Sequence, residues 1–303
     1  MSTMIQKFYM SRFGVGLATS LAAKLEPGVA YRFSRAASRL LASQYRLPVV
    51  RAVRANLWVI TRGQLSPEQL NKYVENVFFS RFQSIYDLHH YLSDNEALRR
   101  MVRFTASMER VLQRLREARE GLMVVIPHLG NFDFVGKAVI NRGHSFQALT
   151  FPSPSSGYLR ENAIRSELGM EVTPISRNAL RLAETRLDAG GAVMTGLDRP
   201  LANARYRPEF FGRPAPMPVL HVRLAIKTGV PIVVVGNTKQ EDGSYKIFAS
   251  EPIRMQRHSN RTKELVSNAE TVLNVASEFI RQTPGQWGMF YPVWPEVFEN
   301  MVQ

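Results

Sequence analysis

The chain has 303 residues, of which 45% are hydrophobic and 21% charged, proportions typical of a soluble protein that buries a core. It contains no cysteine, which excludes disulfides, thiolate metal sites and a cysteine nucleophile, and fits a reducing compartment. Lys and Arg number 39 against 25 Asp and Glu, so the formal net charge of +14 predicts a polyanionic partner.

Basic residues concentrate near the N-terminus, where residues 1–62 carry ten of them against one acid, Glu26. Aromatic and aliphatic residues are interleaved with these cations, which favours an amphipathic helix on an anionic membrane surface. A basic cap packed on the protein itself is the alternative; no nucleic-acid partner is predicted, because no motif supports one. The longest uncharged stretch of this N-terminal segment, residues 13–23, is shorter than the roughly 20 apolar residues of a membrane span.

The first 120 residues are predicted to be helical throughout. Ser66 and Pro67 are typical of a helix start, and apolar residues at spacings of three and four follow them as far as Ile85. Another helix is predicted from about Asn95 to Glu120. We therefore expect an N-terminal helical, membrane-associating region over residues 1–120, integrated with a core over residues 121–303.

After Gly121 the pattern changes to strands that alternate with helices. Apolar runs predict strands over Leu122–Ile126, Ser145–Phe151, Ala192–Leu197 and Val230–Val235, with an antiparallel strand over Tyr245–Ala249. Helices are predicted after Asn131 and over Arg177–Ala189, Val219–Lys227 and Thr262–Gln282. The alternation predicts an α/β fold with a central, mainly parallel sheet flanked by helices. The Pro-rich loops 152–157 and 200–218 are predicted to be lids or binding loops.

His128 and Asp133 form an H-x4-D pattern where the strand Leu122–Ile126 gives way to a helix. A carboxylate is favoured in the first helical turn. If Asp133 accepts a hydrogen bond from one imidazole nitrogen, the other is free to take a proton from a substrate hydroxyl. The hypothesis is a general base, His128, oriented by Asp133; a capping or packing histidine is the alternative. Asn131, beside Gly130, is a candidate substrate contact.

A second candidate region follows the strand Ala192–Leu197. Ligands of such sheets bind at the carboxyl ends of the strands, so Asp198 and Arg199 are expected at the same rim as His128. Arg199 is a candidate for binding an anionic group such as a phosphate, and a local ion pair with Asp198 is the alternative.

Further candidates lie in the loop 200–218 and at a helix start. Phe210 and Phe211, predicted to be exposed among arginines, suit a ligand with a charged head and an apolar tail. Glu209 is suited to accept a hydrogen bond from an acceptor sugar, or else to pair with an arginine. Arg177, which opens a helix, is a further phosphate candidate. The spacings typical of serine hydrolases, phosphate-binding loops, dinucleotide sites and zinc proteases are absent, and no metal site is predicted.

Six segments in order resemble the lipid A biosynthesis acyltransferase branch of the lysophospholipid acyltransferase superfamily, which includes the phosphatidylinositol mannoside acyltransferases. They cover most of the chain and are residues 51–58 with 65–68, 128–133, 198–199, 210–212, 224–233, and 286–287 with 294–296. The chain departs from the family pattern at Pro200, where another Asp is common. It also departs at residues 290–293, where a His and an Arg are usual.

The resemblance implies acyl transfer from a thioester, carried on CoA or acyl carrier protein, to a hydroxyl of a membrane glycolipid. It places the protein peripherally at the cytoplasmic face of the bacterial inner membrane. His128 would be the general base and Asp133 its partner, with no acyl-enzyme and no cofactor beyond the thioester co-substrate. A thioesterase and a non-catalytic lipid-binding membrane protein are the alternatives.

Overall fold

The computed structural model describes residues 24–91, 94–117, 120–152 and 156–300. The uncharged stretch 13–23, the basic residues before it and residues 153–155 of the predicted loop 152–157 lie outside the described residues. The expectations for those segments therefore stay predictions.

The described chain starts with four helices, α1 (Pro27–Ala42), α2 (Pro48–Ile60), α3 (Pro67–His90) and α4 (Asn95–Met101). The first three begin at a proline, whose missing N–H costs nothing in the first turn. Ser66 caps α3 in a reciprocal capping box with Gln69, which satisfies two backbone donors. The helix start predicted at Ser66 and Pro67 is confirmed.

The prediction that residues 1–120 are helical throughout is wrong at β1 (Val102–Phe104), which joins the sheet. The helix predicted over Asn95–Glu120 is divided by this strand into α4 and α5 (Ala106–Glu117). Parallel pairing with β9 (Tyr245–Ala249) takes the place of the helical hydrogen bonds. Just beyond β1, the Thr105 N–H donates to the Ile247 carbonyl over 2.9 Å. Sheet pairing outweighs the local helical pattern at this point.

Besides β1 and β9, the central sheet contains β2 (Leu122–Ile126), β3 (Phe146–Thr150), β4 (Glu171–Pro174), β5 (Ala192–Gly196) and β8 (Ile232–Lys239). In the described part of the chain these seven strands lie in the order β1-β9-β8-β2-β5-β3-β4. Only the pair β8 and β9 is antiparallel in this sheet. The α/β class with a mainly parallel sheet is confirmed, as is the antiparallel strand Tyr245–Ala249.

The helices of the α/β region flank this sheet. They are α6 (Phe132–Ile140), α7 (Ser156–Glu167), α8 (Arg177–Asp188), α9 (Leu220–Thr228), α10 (Arg261–Gln282) and α11 (Pro295–Asn300). The predicted loop 152–157 gives way to α7 at Ser156. The predicted loop 200–218 contains a small hairpin of β6 (Glu209–Phe210) and β7 (Arg213–Pro214).

The two faces of β2 point into two hydrophobic cores. Met123 and Val125 pack in a core that also contains Leu57 of α2 and Phe78 of α3. Leu122 and Ile126 pack on the opposite face, in a core formed with α5 and α6. Since successive strand residues point to opposite faces, the continuous apolar run Leu122–Ile126 is what a strand covered on both sides requires. Helices α2 and α3 thus share a core with the sheet.

A buried carboxylate, Asp87 of α3, links the N-terminal helices to the sheet edge. It accepts hydrogen bonds from the hydroxyls of Tyr31 (2.6 Å) and Tyr245 (2.5 Å) and pairs with the ammonium group of Lys239. Burial lowers the pKa of Lys239, against the attraction of Asp87. Since Tyr31 lies on α1 and Lys239 on β8, these contacts hold α1 and α3 against the sheet. None of the helices in the described part of the chain is both long enough and apolar enough to cross a bilayer.

His221 of α9 is fully buried, and neither ring nitrogen has a hydrogen-bond partner among the described residues. Burial lowers the pKa of His221 to about 4, because the charged imidazolium cannot be solvated there. The folded protein therefore keeps this histidine neutral at a pH where the unfolded chain protonates it.

We expect the free energy of unfolding to fall by about 3 kcal/mol from this residue as the pH drops from 6.5 towards 4. The unfolded chain binds the proton first, so acid favours unfolding. His221→Leu should make the pH dependence shallower by this amount in denaturant titrations, with His258→Leu, at an exposed site, as the control. An unchanged pH dependence in His221→Leu would contradict this account.

Candidate active site

The ends of two neighbouring parallel strands bring His128 and Asp198 together. Strands β2 and β5 pair with Ile126 opposite Gly196, and each polar residue follows two positions later. Because parallel strands end at the same edge of a sheet, the two side chains meet at the rim. The expectation that they share a rim is confirmed.

His128 contacts the Asp198 carboxylate through both its backbone and its ring. Nδ1 lies 2.6 Å from Asp198 Oδ1, and the His128 backbone N–H donates to Oδ2 over 2.9 Å. The carboxylate is fully buried, whereas the imidazole side chain is 30% exposed. A carboxylate at Nδ1 favours the tautomer that carries its proton there. Within the described residues Nε2 has no hydrogen-bond partner, so it is the nitrogen open to a substrate.

The predicted hydrogen bond between Asp133 and His128 is wrong. Asp133 accepts a hydrogen bond from Arg165 Nε over 2.7 Å, and both side chains are nearly buried. Asp133 lies in the first turn of α6 and meets the guanidinium of α7, a charge-assisted contact that satisfies the carboxylate. Burial lowers the pKa of Arg165, but its attraction to Asp133 outweighs this effect and the pKa is raised. Asp133 thus compensates a buried cation and joins α6 to α7.

Trp287 also contacts Asp198, although it was not among the predicted site residues. Its indole Nε1–H donates to Asp198 Oδ2 over 2.7 Å. Burial raises the pKa of Asp198, but the charge of His128 and the hydrogen bonds from His128 and Trp287 outweigh it, so the pKa lies below the usual range. Asp198 therefore stays ionised without solvent contact. Its two oxygens are bound to protein donors, which gives Asp198 a role behind the imidazole rather than in direct substrate contact.

Gly130 and Asn237 fix the turn that carries His128. Gly130 has a φ of 63°, and a Cβ there would lie 2.4 Å from Asn237 Oδ1. Asn237 donates from Nδ2 to the Leu129 carbonyl (2.9 Å) and accepts from the Asn131 N–H (2.7 Å). Asn131 is buried, donates to the Ser84 carbonyl and caps α6, so its predicted cap is confirmed. Since its polar groups are bound within the protein, Asn131 holds the turn instead of facing a ligand.

Arg199 lies at the rim without a carboxylate partner among the described residues. The alternative of an ion pair with Asp198 is wrong, since three other donors occupy that carboxylate. The guanidinium instead donates to the Tyr291 hydroxyl over 3.0 Å and lies over the rings of Tyr291 (4.4 Å) and Phe151 (4.8 Å). Arg199 is therefore a cation among aromatic rings, adjacent in sequence to Asp198.

The expectation that Phe210 is exposed is wrong. Phe210 is fully buried, stacks on Trp294 at 5.8 Å and packs edge-on against Trp287 at 6.1 Å. The tight hairpin of β6 and β7 turns this ring inwards. Phe211, with a φ of 54°, is half-buried and also contacts Trp287. Both phenylalanines therefore support the tryptophans instead of presenting an exposed binding surface.

The remaining predicted ligand contacts stay predictions. Glu209 is exposed, and its backbone N–H donates to Glu270. Arg177 is exposed at the start of α8, just after β4, and β3 separates β4 from β5 in the sheet. Arg177 therefore lies towards the edge of the sheet, away from the strand that precedes Asp198. The described residues contain no group of three or more His, Asp or Glu side chains placed to bind a metal ion.

We expect Asp133→Asn to lower the free energy of unfolding by about 3 kcal/mol, because it leaves the buried Arg165 without its main counter-charge. Adding Arg165→Met should restore most of this loss, because it removes the uncompensated cation. Denaturant unfolding of both variants and the wild type checks this. If Asp133→Asn unfolds at the wild-type denaturant concentration, the pair does not stabilise the fold.

The sequence is similar to those of bacterial acyltransferases. The model of the bacterial lipid A biosynthesis acyltransferase family matches residues 26–296. A phosphatidylinositol mannoside acyltransferase of Mycobacterium tuberculosis is 32% identical over 179 residues, 57% of this chain and 54% of the relative. One of Mycolicibacterium smegmatis is 24% identical over 183 residues, 59% of this chain and 58% of the relative. The chain thus matches little more than half the length of these curated relatives.

Proposed function

Since the chain belongs to the bacterial lipid A biosynthesis acyltransferase family, we propose that it transfers a fatty acyl group from a thioester to a hydroxyl of a membrane glycolipid. The family match confirms the resemblance found in the six sequence segments. Acyl-CoA or acyl carrier protein is the proposed donor, and no other cofactor is invoked. A glycolipid acceptor agrees with the names of the mycobacterial relatives. The observation that carries the proposal is the imidazole of His128 set on a buried carboxylate at the sheet rim.

His128 would act as the general base. Nε2 accepts the proton of the acceptor hydroxyl while its oxygen attacks the thioester carbonyl carbon. The C–S bond of the tetrahedral intermediate then breaks, and the proton passes from Nε2 to the departing sulfur. Asp198 holds the tautomer and stabilises the imidazolium between these two steps. The nucleophile belongs to the substrate, so no acyl-enzyme forms and Asp198 takes the orienting role first assigned to Asp133.

Arg199 is the proposed contact for a phosphate of either substrate. Its guanidinium has hydrogen-bond donors to spare beyond the one on Tyr291, and no described carboxylate competes for them. The rings of Phe151 and Tyr291 beside it are 37% and 45% exposed. Partly exposed rings next to a cation suit a ligand that carries both a sugar face and a phosphate.

Association with the cytoplasmic face of the bacterial inner membrane is proposed for α1. Phe33 and Leu40, seven residues apart and therefore on one face of the helix, are 67% and 69% exposed. Arg32 and Arg39 lie beside them and are also exposed. Large apolar side chains flanked by arginines favour the headgroup region of an anionic membrane.

We expect His128→Ala and Asp198→Asn each to slow acyl transfer by a factor on the order of 10²–10⁴, since the first removes the general base and the second removes the carboxylate that orients it. The matched variant Asp133→Asn, assayed where it is folded, should lose far less, because Asp133 does not contact the imidazole. The assay uses radiolabelled acyl-CoA or acyl carrier protein with bacterial glycolipid and separates acylated lipid from free fatty acid.

Unchanged transfer in His128→Ala would exclude the proposed base. Free fatty acid as the sole product, whatever acceptor is added, would identify a thioesterase. Vesicle binding by the wild type without either product would favour a non-catalytic lipid-binding protein.

We expect the double variant Phe33→Ser with Leu40→Ser to bind phosphatidylglycerol vesicles at least about tenfold more weakly. Each substitution removes an apolar side chain that the membrane would otherwise bury. Leu182→Ser, at an exposed site on α8, is the control and should bind like the wild type. Vesicle co-sedimentation measures both. Equal binding by the double variant and the control would exclude this face of α1 as the membrane contact.

A further inference from the structure

We propose that Trp287 is a positioning residue for acyl transfer, acting through Asp198 by donating its indole N–H to the carboxylate that orients His128. The inference rests on the proposed role of His128 as the general base. Trp287 does not itself contact the reacting atoms in this account.

The two carboxylate oxygens of Asp198 have different partners. Oδ2 accepts two donors, the Trp287 indole at 2.7 Å and the His128 backbone N–H at 2.9 Å. Oδ1 faces the ring nitrogen Nδ1 at 2.6 Å. Two donors on Oδ2 fix the rotation of the carboxylate about its Cβ–Cγ bond, so Oδ1 is held towards the imidazole. The indole therefore sets the direction of the hydrogen bond that His128 uses.

The indole also sets how strongly Oδ1 attracts a proton. Asp198 is fully buried, so its negative charge is stabilised by protein donors alone. Donation from Trp287 draws that charge towards Oδ2 and makes Oδ1 a weaker base. The Nδ1 proton then stays on the ring. The imidazolium is stabilised less than it would be by a carboxylate without the Trp287 hydrogen bond. Nε2 thereby gives up its proton to the departing thiolate more readily than it would beside an unshielded carboxylate.

The backbone around Trp287 is paired with the turn that carries His128. The Gly288 N–H donates to the His128 carbonyl over 2.7 Å, and the Gly130 N–H donates to the Gln286 carbonyl over 3.0 Å. Leu129 and Trp287 thus form an antiparallel bridge. The same pair of backbone segments holds the histidine and the indole. Their relative position is therefore fixed by backbone hydrogen bonds as well as by their side-chain contacts with Asp198.

A second tryptophan provides a natural control. Trp294 is buried like Trp287 and packs on the same ring, Phe210. Its indole nitrogen has no hydrogen-bond partner among the described residues. The two side chains therefore share burial and aromatic packing and differ in the bond to Asp198.

The test compares Trp287→Phe with Trp294→Phe. Both variants keep an aromatic ring and lose an indole N–H, and only the first loses a donor to Asp198. For Trp287→Phe we expect kcat to fall by about 10- to 100-fold. The acid limb of its kcat/KM profile should move to higher pH by about half a unit to one unit, because a less stabilised carboxylate holds the imidazolium more strongly. Trp294→Phe should leave the acid limb at its wild-type position.

A second readout does not depend on turnover. Protonation of His128 is followed in the free proteins by NMR with ¹⁵N-labelled histidine, and its midpoint should rise in Trp287→Phe and stay unchanged in Trp294→Phe. Equal midpoints and equal acid limbs in the two variants would overturn the proposal and reduce Trp287 to packing. If the wild type transfers no acyl group, the proposed function fails while the NMR titration still decides the role of Trp287.

If Trp287→Phe does not fold, β-(3-benzothienyl)alanine at position 287 replaces it. This residue keeps the bicyclic shape and exchanges the N–H for sulfur, so packing is retained and donation is lost. The same upward shift of the His128 midpoint is expected with this residue, and a wild-type midpoint would again overturn the proposal.

Discussion

The rest of the site depends on the hydrogen bonds that the buried Asp198 carboxylate accepts. A charge held away from water costs several kcal/mol unless protein groups satisfy it. Here the His128 backbone, its imidazole and the Trp287 indole together supply three donors. These donors come from two distant parts of the chain, the turn after β2 and the segment before α11. The buried carboxylate therefore requires the sheet, that turn and the C-terminal segment to be in place at once.

A second buried carboxylate, Asp133, has a different function in the same small region. It compensates Arg165 and thereby joins α6 to α7 directly behind the turn with His128. Placing one acid on the histidine and the other on the arginine keeps the two charges from competing for one donor. Asn237 completes the arrangement, since its amide bonds to the backbone on both sides of Gly130. The position of the imidazole thus follows from polar contacts that the hydrophobic cores shield from water.

Much of the fold was predictable because apolar runs with glycine or proline at their ends define buried strands, as for Leu122–Ile126. The rim shared by His128 and Asp198 followed from the rule for the ends of parallel strands. The partner of the imidazole was not predictable, because closeness in sequence favoured Asp133. The Arg165 guanidinium that binds Asp133 instead comes from another helix. The indole of Trp287 approaches Asp198 through tertiary packing, and the Gln-Trp segment of the family pattern was its sole signal in the sequence.

The most direct test of the account is the proton on His128 Nδ1, observed at low field by NMR in ¹⁵N-histidine-labelled protein. A hydrogen bond as short as 2.6 Å to a buried carboxylate predicts a strongly downfield resonance in the wild type. That resonance should disappear or move upfield in Asp198→Asn and persist in Asp133→Asn. The opposite outcome, loss in Asp133→Asn and persistence in Asp198→Asn, would contradict the assignment of Asp198 as the residue that orients the histidine.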